Sequence, residues 1–259
     1  NHSSDEKFVD YYATESESES TLQRFVAVFD RILQLRQKLN APNEKLHVAD
    51  IGCATGHQAF LWAQAGHYVH ALDVNQHLVE VGQKRAAERH YDIDFRLGSA
   101  SELPWEDNSM DVCIALELLE HIEDWLACLD DFTRVLKPGG ILCISTTNTL
   151  CPIQQEFSLP FYSWYPSALK RRYEKLARTT RADLVNFATY PAVHWFSYYS
   201  LKSVLRKYGY QSFDKFDLAA MGGGRFSKKI VLASLRALPP LRFIAHVVTP
   251  GTFLIAVKQ

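Results

Sequence analysis

Three groups of residues carry types and spacings that could do chemistry. Glu117-Leu-Leu-Glu120-His121 places two carboxylates and an imidazole within five residues. Such a set can hold a hard divalent cation, or His121 can work alone as a base near neutral pH. Asp50-Ile-Gly52-Cys53-Ala54-Thr55-Gly56 is an acid followed by a Gly-x-x-x-Gly turn. Glycine there permits a tight strand-to-helix turn and close approach of a ligand, and the helix that follows has free backbone N–H groups. An acid at its head suits a cationic ligand, such as an amino-acid ammonium or a sulfonium. Asp73 closes an apolar segment, where a carboxylate can accept both hydroxyls of a ribose. Each has a plainer counterpart: a turn with no ligand, a polar strand end, a histidine near a site but outside it.

These residues need a scaffold. Apolar residues recur at helical spacing over Thr21–Leu39, after an acidic segment 1–20 that reads as mobile. Then strands are expected at Leu46–Ile51, Tyr68–Val74, Ile93–Leu97, Asp111–Ala115 and Ile141–Thr146, with helices at His57–Ala65, Gln76–Arg89 and Trp125–Leu136. A turn is expected at Lys137–Gly140. This alternation predicts an α/β fold, a parallel sheet with helices on both faces. The pattern stops after Thr147 and resumes with a helix at Leu201–Tyr208 and strands at Gln211–Leu218 and Thr252–Val257. Two stretches, about 150–195 and 219–250, read as irregular insertions that cap one domain spanning 21–259.

The 259 residues are 47% hydrophobic and 22% charged, as in ordinary globular domains. Five cysteines without metal-ligand spacing predict no disulfide framework and a reducing compartment. No signal-like segment and no long apolar run is evident, so a cytoplasmic location is expected. The net charge of −1 hides a split. Residues 1–150 hold 12 Lys and Arg against 24 Asp and Glu, whereas residues 151–259 hold 16 against 5. Either the second part meets something anionic or the two parts attract each other.

As a set, Val48–Gly56, Ala71-Leu-Asp-Val74, Gly98-Ser-Ala-Ser-Glu-Leu-Pro104, Asp111–Ile122 and Arg134-Val-Leu-Lys-Pro-Gly-Gly-Ile141 resemble the class I S-adenosylmethionine (SAM)-dependent methyltransferases. The likeness covers about residues 20–147. It implies a Rossmann-like seven-stranded sheet whose last strand is antiparallel, and SAM as cofactor. It also implies roles: Asp50, Gly52, Cys53, Ala54 and Gly56 around the methionine portion, Asp73 on the ribose, Val74 on the adenine face. Ser99 and Ala100 would meet the adenine edge, and Leu116 and Glu117 would border the sulfonium. Two positions depart from the family. Ala54 replaces a usual glycine, which requires a negative φ or some strain. Ser99 replaces a frequent Asp and would bond the adenine amino group more weakly. The Glu-x-x-Glu-His pattern resembles ubiquinone-pathway O-methyltransferases, where it is associated with a divalent metal, and small-RNA 2′-O-methyltransferases. Here Glu117, Glu120 and His121 are the candidate catalytic residues and the only candidate metal ligands, with no metal as the expectation.

Methyl transfer is an in-line displacement, so much of its rate comes from alignment. A hydroxyl acceptor also needs a base or metal, whereas carbon or sulfur acceptors need little help. Aromatic and basic residues interleave in the two insertions. They can neutralise a nucleic acid, rest on an anionic membrane, or cover an amphipathic anionic molecule. Tyr11, Tyr162, Trp164, His194 and Trp195 are the candidate acceptor contacts. A small-molecule or lipid-linked acceptor, with O-methylation, is the preferred expectation. The acidic first half disfavours nucleic acid. RNA methylation and a non-catalytic SAM-binding role remain the alternatives, with peripheral membrane contact and a monomer or homodimer expected.

Overall fold

The structure, a computed structural model, describes residues 18–42, 44–154, 156–185, 192–222 and 226–259. The candidate contact Tyr11 and nearly all of the expected mobile segment lie outside the described residues. Helix α1 (Glu19–Lys38) begins where the Ser18 side chain accepts from the Thr21 N–H at 3.3 Å. Its buried residues Val28, Ile32 and Leu35 follow helical spacing.

Seven strands form one sheet in the order β3-β2-β1-β4-β5-β7-β6. They are β1 (His47–Ile51), β2 (Tyr68–Asp73), β3 (Ile93–Leu97), β4 (Met110–Leu116), β5 (Leu136–Thr147), β6 (Tyr210–Asp214) and β7 (Gly251–Lys258). The sheet is mixed, parallel at β3-β2-β1-β4 and antiparallel towards its end. Register sets Asp50 beside Ala71 and Ile114, and Asp73 beside Leu97. The strand order reverses between β1 and β4, and ligands of open α/β sheets bind beyond the carboxyl ends of strands at such a point.

The chain falls into two compact units. The first comprises the chain up to Leu116, Asp124–Cys143 and Val257–Gln259. Its helices are α1, α2 (His57–Gln64), α3 (Gln76–Glu88) and α4 (Trp125–Val135). Strand β1 is buried from Val48 onward, as a central parallel strand should be. The second unit comprises Glu117–Glu123 and Ile144–Ala256. It carries α5 (Ser167–Thr179), α6 (Tyr198–Lys207), α7 (Lys215–Met221), α8 (Phe226–Ala237) and α9 (Pro239–Val247). Part of its core is Phe157, Tyr162, Ala177, Leu184 and Val185, with Tyr165, Tyr173 and Trp195 packed against them.

Four sequence expectations differ from the structure. The strand expected over Gln211–Leu218 ends at Asp214, because that carboxylate accepts from the Phe216 and Asp217 N–H groups and starts α7. The irregular stretch 219–250 contains α8 and α9, and Pro239-Pro240 occupies the first turn of α9 rather than a break. The stretch 150–195 contains α5. The turn expected at Lys137–Gly140 is counted into β5, although Gly139 takes φ 75° there. A Cβ on Gly140 would stand 2.7 Å from the Lys137 carbonyl oxygen, so only glycine fits. All five cysteines are free and buried. Among the described residues no single helix is long and apolar enough to cross a membrane.

Candidate active site

The β1 turn is built by backbone bonds to β2. Gly52 N and Cys53 N both donate to the Leu72 carbonyl, at 2.8 and 3.1 Å. Gly52 and Gly56 take φ 74° and 83°, in the left-handed region that glycine tolerates. A Cβ on Gly56 would also stand 2.8 Å from the Phe95 ring. Gly56 caps α2 without a side chain. Asp73 ties the turn to the next one: its Oδ2 accepts from Ala54 N at 2.9 Å and its Oδ1 from Asn75 N at 2.8 Å.

Asp50 is buried, and its Oδ2 has no hydrogen-bond partner. Burial pushes its carboxyl up to about 7; the Asp73 charge adds to this and the Ala59 N–H opposes it. Cys53 and Ala100 are buried, Val74 and Ser99 are exposed, and Leu116 is half-buried. The Ser99 hydroxyl lies 2.9 Å from that of Ser101. Gln58, which sequence reasoning missed, is buried in the first turn of α2 with neither amide atom partnered.

Glu117 follows Leu116 directly and opens the second unit. It takes φ 49°, a strained conformation for a side chain of this size. Strand β5 holds it: Glu117 N donates to the Ser145 carbonyl at 2.8 Å, and the Ser145 hydroxyl donates to Glu117 Oε1 at 2.6 Å. The next β5 residue, Thr146, donates to Glu120 Oε2 at 2.9 Å. Glu120 is fully buried, and its Oε1 has no partner. Ligand atoms of Glu117, Glu120 and Glu156 lie within 4.8 Å of one another. Burial, then the Glu117 charge, push Glu156 up to about 7 and raise Glu120 well above the usual carboxylate range.

The third carboxylate therefore comes from Glu156, and His121 does not belong to the convergent set, contrary to expectation. His121 is half-buried at the end of a single 3₁₀ turn, Leu119–His121. Nothing in the sequence motif marks Glu156. Its one signal is an acid within a strongly basic half.

The remaining candidates spread over the second unit. The Glu120 carbonyl accepts from Val193 N and His194 N, at 2.8 and 3.1 Å. His194 Nε2 lies 2.9 Å from the Glu123 carbonyl and so donates there. Trp195 packs edge-on to Tyr162, with the Lys170 ammonium 4.7 Å from its ring centre. Tyr162 is fully buried and stacks on Phe157 at 4.0 Å, so its surroundings are those of a core residue. Trp164 is exposed and donates to the Leu150 carbonyl at 3.0 Å.

The methyltransferase domain family matches residues 49–144. The chain carries a class I SAM-dependent methyltransferase domain. A malonyl-[acyl-carrier protein] O-methyltransferase from Serratia marcescens is 34% identical over 105 residues, covering 40% of this chain and 39% of that protein. A ubiquinone biosynthesis O-methyltransferase from Parvibaculum lavamentivorans is 33% identical over 107 residues, covering 41% and 42%. The chain thus matches well under half the length of these relatives. The PH0226 protein from Pyrococcus horikoshii has the same fold, with TM-score 0.57, 15% identity and coverage of 96% of this chain and 99% of that one.

Within the methyltransferase domain, the Arg134 to Gly140 motif does structural work. Arg134 donates to the Trp105 and Leu103 carbonyls at 2.7 and 2.9 Å and pairs with Asp131, which fixes the loop after Ala100. Ala54, the departure noted in the turn, takes φ 47°. A left-handed alanine costs about 1–2 kcal/mol, and glycine would recover this less roughly 0.5–1 kcal/mol of chain entropy. Ala54→Gly is expected to raise the thermal midpoint by about 1–3 °C, read by circular dichroism. An unchanged or lower midpoint would show that the turn is not strained.

Proposed function

We propose that this chain is a SAM-dependent O-methyltransferase acting on a small-molecule or lipid-linked hydroxyl. The observation that carries the reading is the unpartnered, fully buried oxygen of Glu120 among three converging carboxyls. A buried polar atom without a partner costs folding free energy and is kept where a ligand completes it.

The donor side fits SAM on the same kind of observation, since Asp50 Oδ2 is buried and unpartnered. SAM supplies a methyl carbon bonded to a positively charged sulfur. In this reading Asp50 accepts the α-ammonium, and the Gly52–Gly56 turn, with Cys53 and Ala54, encloses the methionine portion. Asp73, held in place by its bonds from Ala54 N and Asn75 N, accepts the ribose hydroxyls. Val74 packs on the adenine, Ser99 and Ala100 meet its edge, and Leu116 and Glu117 border the sulfonium.

On the acceptor side, burial and the neighbouring Glu117 charge favour the neutral forms of Glu120 and Glu156. A carboxyl at about 7, such as Glu156, is suited to take a hydroxyl proton at neutral pH. The same oxygens suit Mg²⁺ or Mn²⁺, which would draw Glu120 and Glu156 into their ionised forms and lower the pKa of a bound hydroxyl. The relatives named O-methyltransferases support oxygen as the acceptor atom.

The test uses methyl-labelled SAM with fractionated cell extract. Label should enter a small organic molecule as an ether or ester. Glu120→Gln should lower that transfer at least about 100-fold while SAM binding is retained. Label recovered in RNA, or full activity of Glu120→Gln, would sink the reading. Chelation separates the two acceptor chemistries: loss restored by Mg²⁺ assigns a metal, and no effect assigns the carboxyls alone.

A further inference from the structure

Helix α9 is amphipathic in the inverted sense. Its inward face is ionic: His246 Nε2 lies 2.9 Å from Asp214 Oδ2, and Arg242 pairs with both Asp214 and Asp217. Its outward face is apolar. Leu241, Ile244 and Val248 recur at i, i+3 and i+7 and are 43%, 56% and 70% exposed. Leu238, three residues before Leu241, is exposed as well. In water a surface helix does the opposite, burying its alkyl side chains and wetting its charges. Helix α8 continues the surface, with Ile230 and Val231 exposed at 51% and 58%.

The charge of this segment is also one-sided. Besides the inward-paired Arg242, residues 226–248 contain Lys228, Lys229 and Arg236 and no Asp or Glu. An apolar face on a segment whose sequence is basic and without acids matches the boundary of an anionic bilayer, where alkyl groups enter the acyl layer and cations meet the headgroups. A contiguous exposed apolar surface of this kind is uncommon on a protein that meets only water. The pair does not span. Ile230–Ala237 and Pro239–Val247 meet at 107°. Each is about 12–14 Å long against a hydrocarbon core of roughly 30 Å.

We propose that α8 and α9 form a monotopic docking surface for an anionic lipid bilayer. The proposal stands independently of the methyl-transfer reading, because no residue of the candidate active site takes part. Arg242 and His246 anchor the helix to the body of the second unit, and the outward apolar residues enter the membrane.

The test is sedimentation of the purified full chain with vesicles of phosphatidylcholine alone or mixed with phosphatidylglycerol. The bound fraction should be high with the mixed vesicles and fall several-fold with phosphatidylcholine alone and with added salt. Ile244→Ser combined with Val248→Ser removes two largely exposed side chains, so the thermal midpoint should change little. Vesicle affinity of that variant should fall at least about tenfold, since each inserted aliphatic side chain contributes about that factor. Absence of vesicle binding by the folded wild type overturns the proposal. So does equal binding by the double variant. A concentration-dependent dimer that the double variant abolishes, without vesicle binding, assigns the face to a second copy instead and likewise overturns it.

Discussion

Asp73→Ala is expected to weaken SAM binding at least about 100-fold, measured by calorimetric titration of SAM and S-adenosylhomocysteine. The estimate counts two charge-assisted bonds to ribose hydroxyls at about 1.5–3 kcal/mol each. The structure adds a second contribution. The same carboxylate accepts from Ala54 N and Asn75 N, so its removal also frees the β1 turn and the start of α3. Asp73→Asn separates the two, because an amide oxygen can still accept one of those bonds while the charge is gone. Binding by Asp73→Ala within a few-fold of wild type would show that SAM, if bound, is not held at this carboxylate.

Asp214→Ala is expected to cost about 3–5 kcal/mol of stability, a fall of roughly 6–20 °C in the thermal midpoint. Asp214 is fully buried and pairs with Arg242 and His246. It also caps α7 through Phe216 N and Asp217 N. Removal leaves the buried His246 imidazole without its carboxylate and Arg242 with Asp217 alone. Burial alone would raise the Asp214 pKa; bonds from His246, the Asp217 N–H and Arg242 outweigh it and hold the carboxyl at about 2, below its ordinary 3.8. A depressed folded pKa contributes stability above the unfolded value, lost as pH falls through the folded one. Wild type should therefore lose stability steeply between about pH 4 and 2, and Asp214→Ala should show a flatter acid limb. A variant as stable as wild type would mean that the network contributes nothing net.

The first half of the fold was legible because its chemistry is local. The acid and glycines of the β1 turn, the apolar runs of β1 and β4, and Asp73 at the end of β2 each declare their place within a few residues. Positions set by distant partners were not legible. For Ala54 the sequence left a negative φ or strain open; its φ is positive, in a turn whose Ala54 N–H is bonded to Asp73. Glu156 joins Glu117 and Glu120 only through tertiary packing, and His121, adjacent to Glu120, does not join at all. Asp214 ends a strand and starts a helix, a boundary that apolar alternation alone overran. Helix α9 was read as irregular partly because its apolar residues do not mark a buried stripe; its ionic side faces inward instead.

Strand β7 lies between β5 and β6 in the sheet, yet it is the last of the seven to be synthesised. While β7 is still inside the ribosome, β5 and β6 each present an open edge to any other strand that can pair with it. Lys258, at the end of β7, donates to the Thr133 and Leu136 carbonyls at 2.7 and 2.6 Å, a bond to residues made more than a hundred positions earlier. The sheet thus closes only after translation has passed that point, through contacts of long sequence separation that form slowly. The nascent chain therefore carries a period of exposure to aggregation, or to holding by chaperones, that no feature of the finished fold displays.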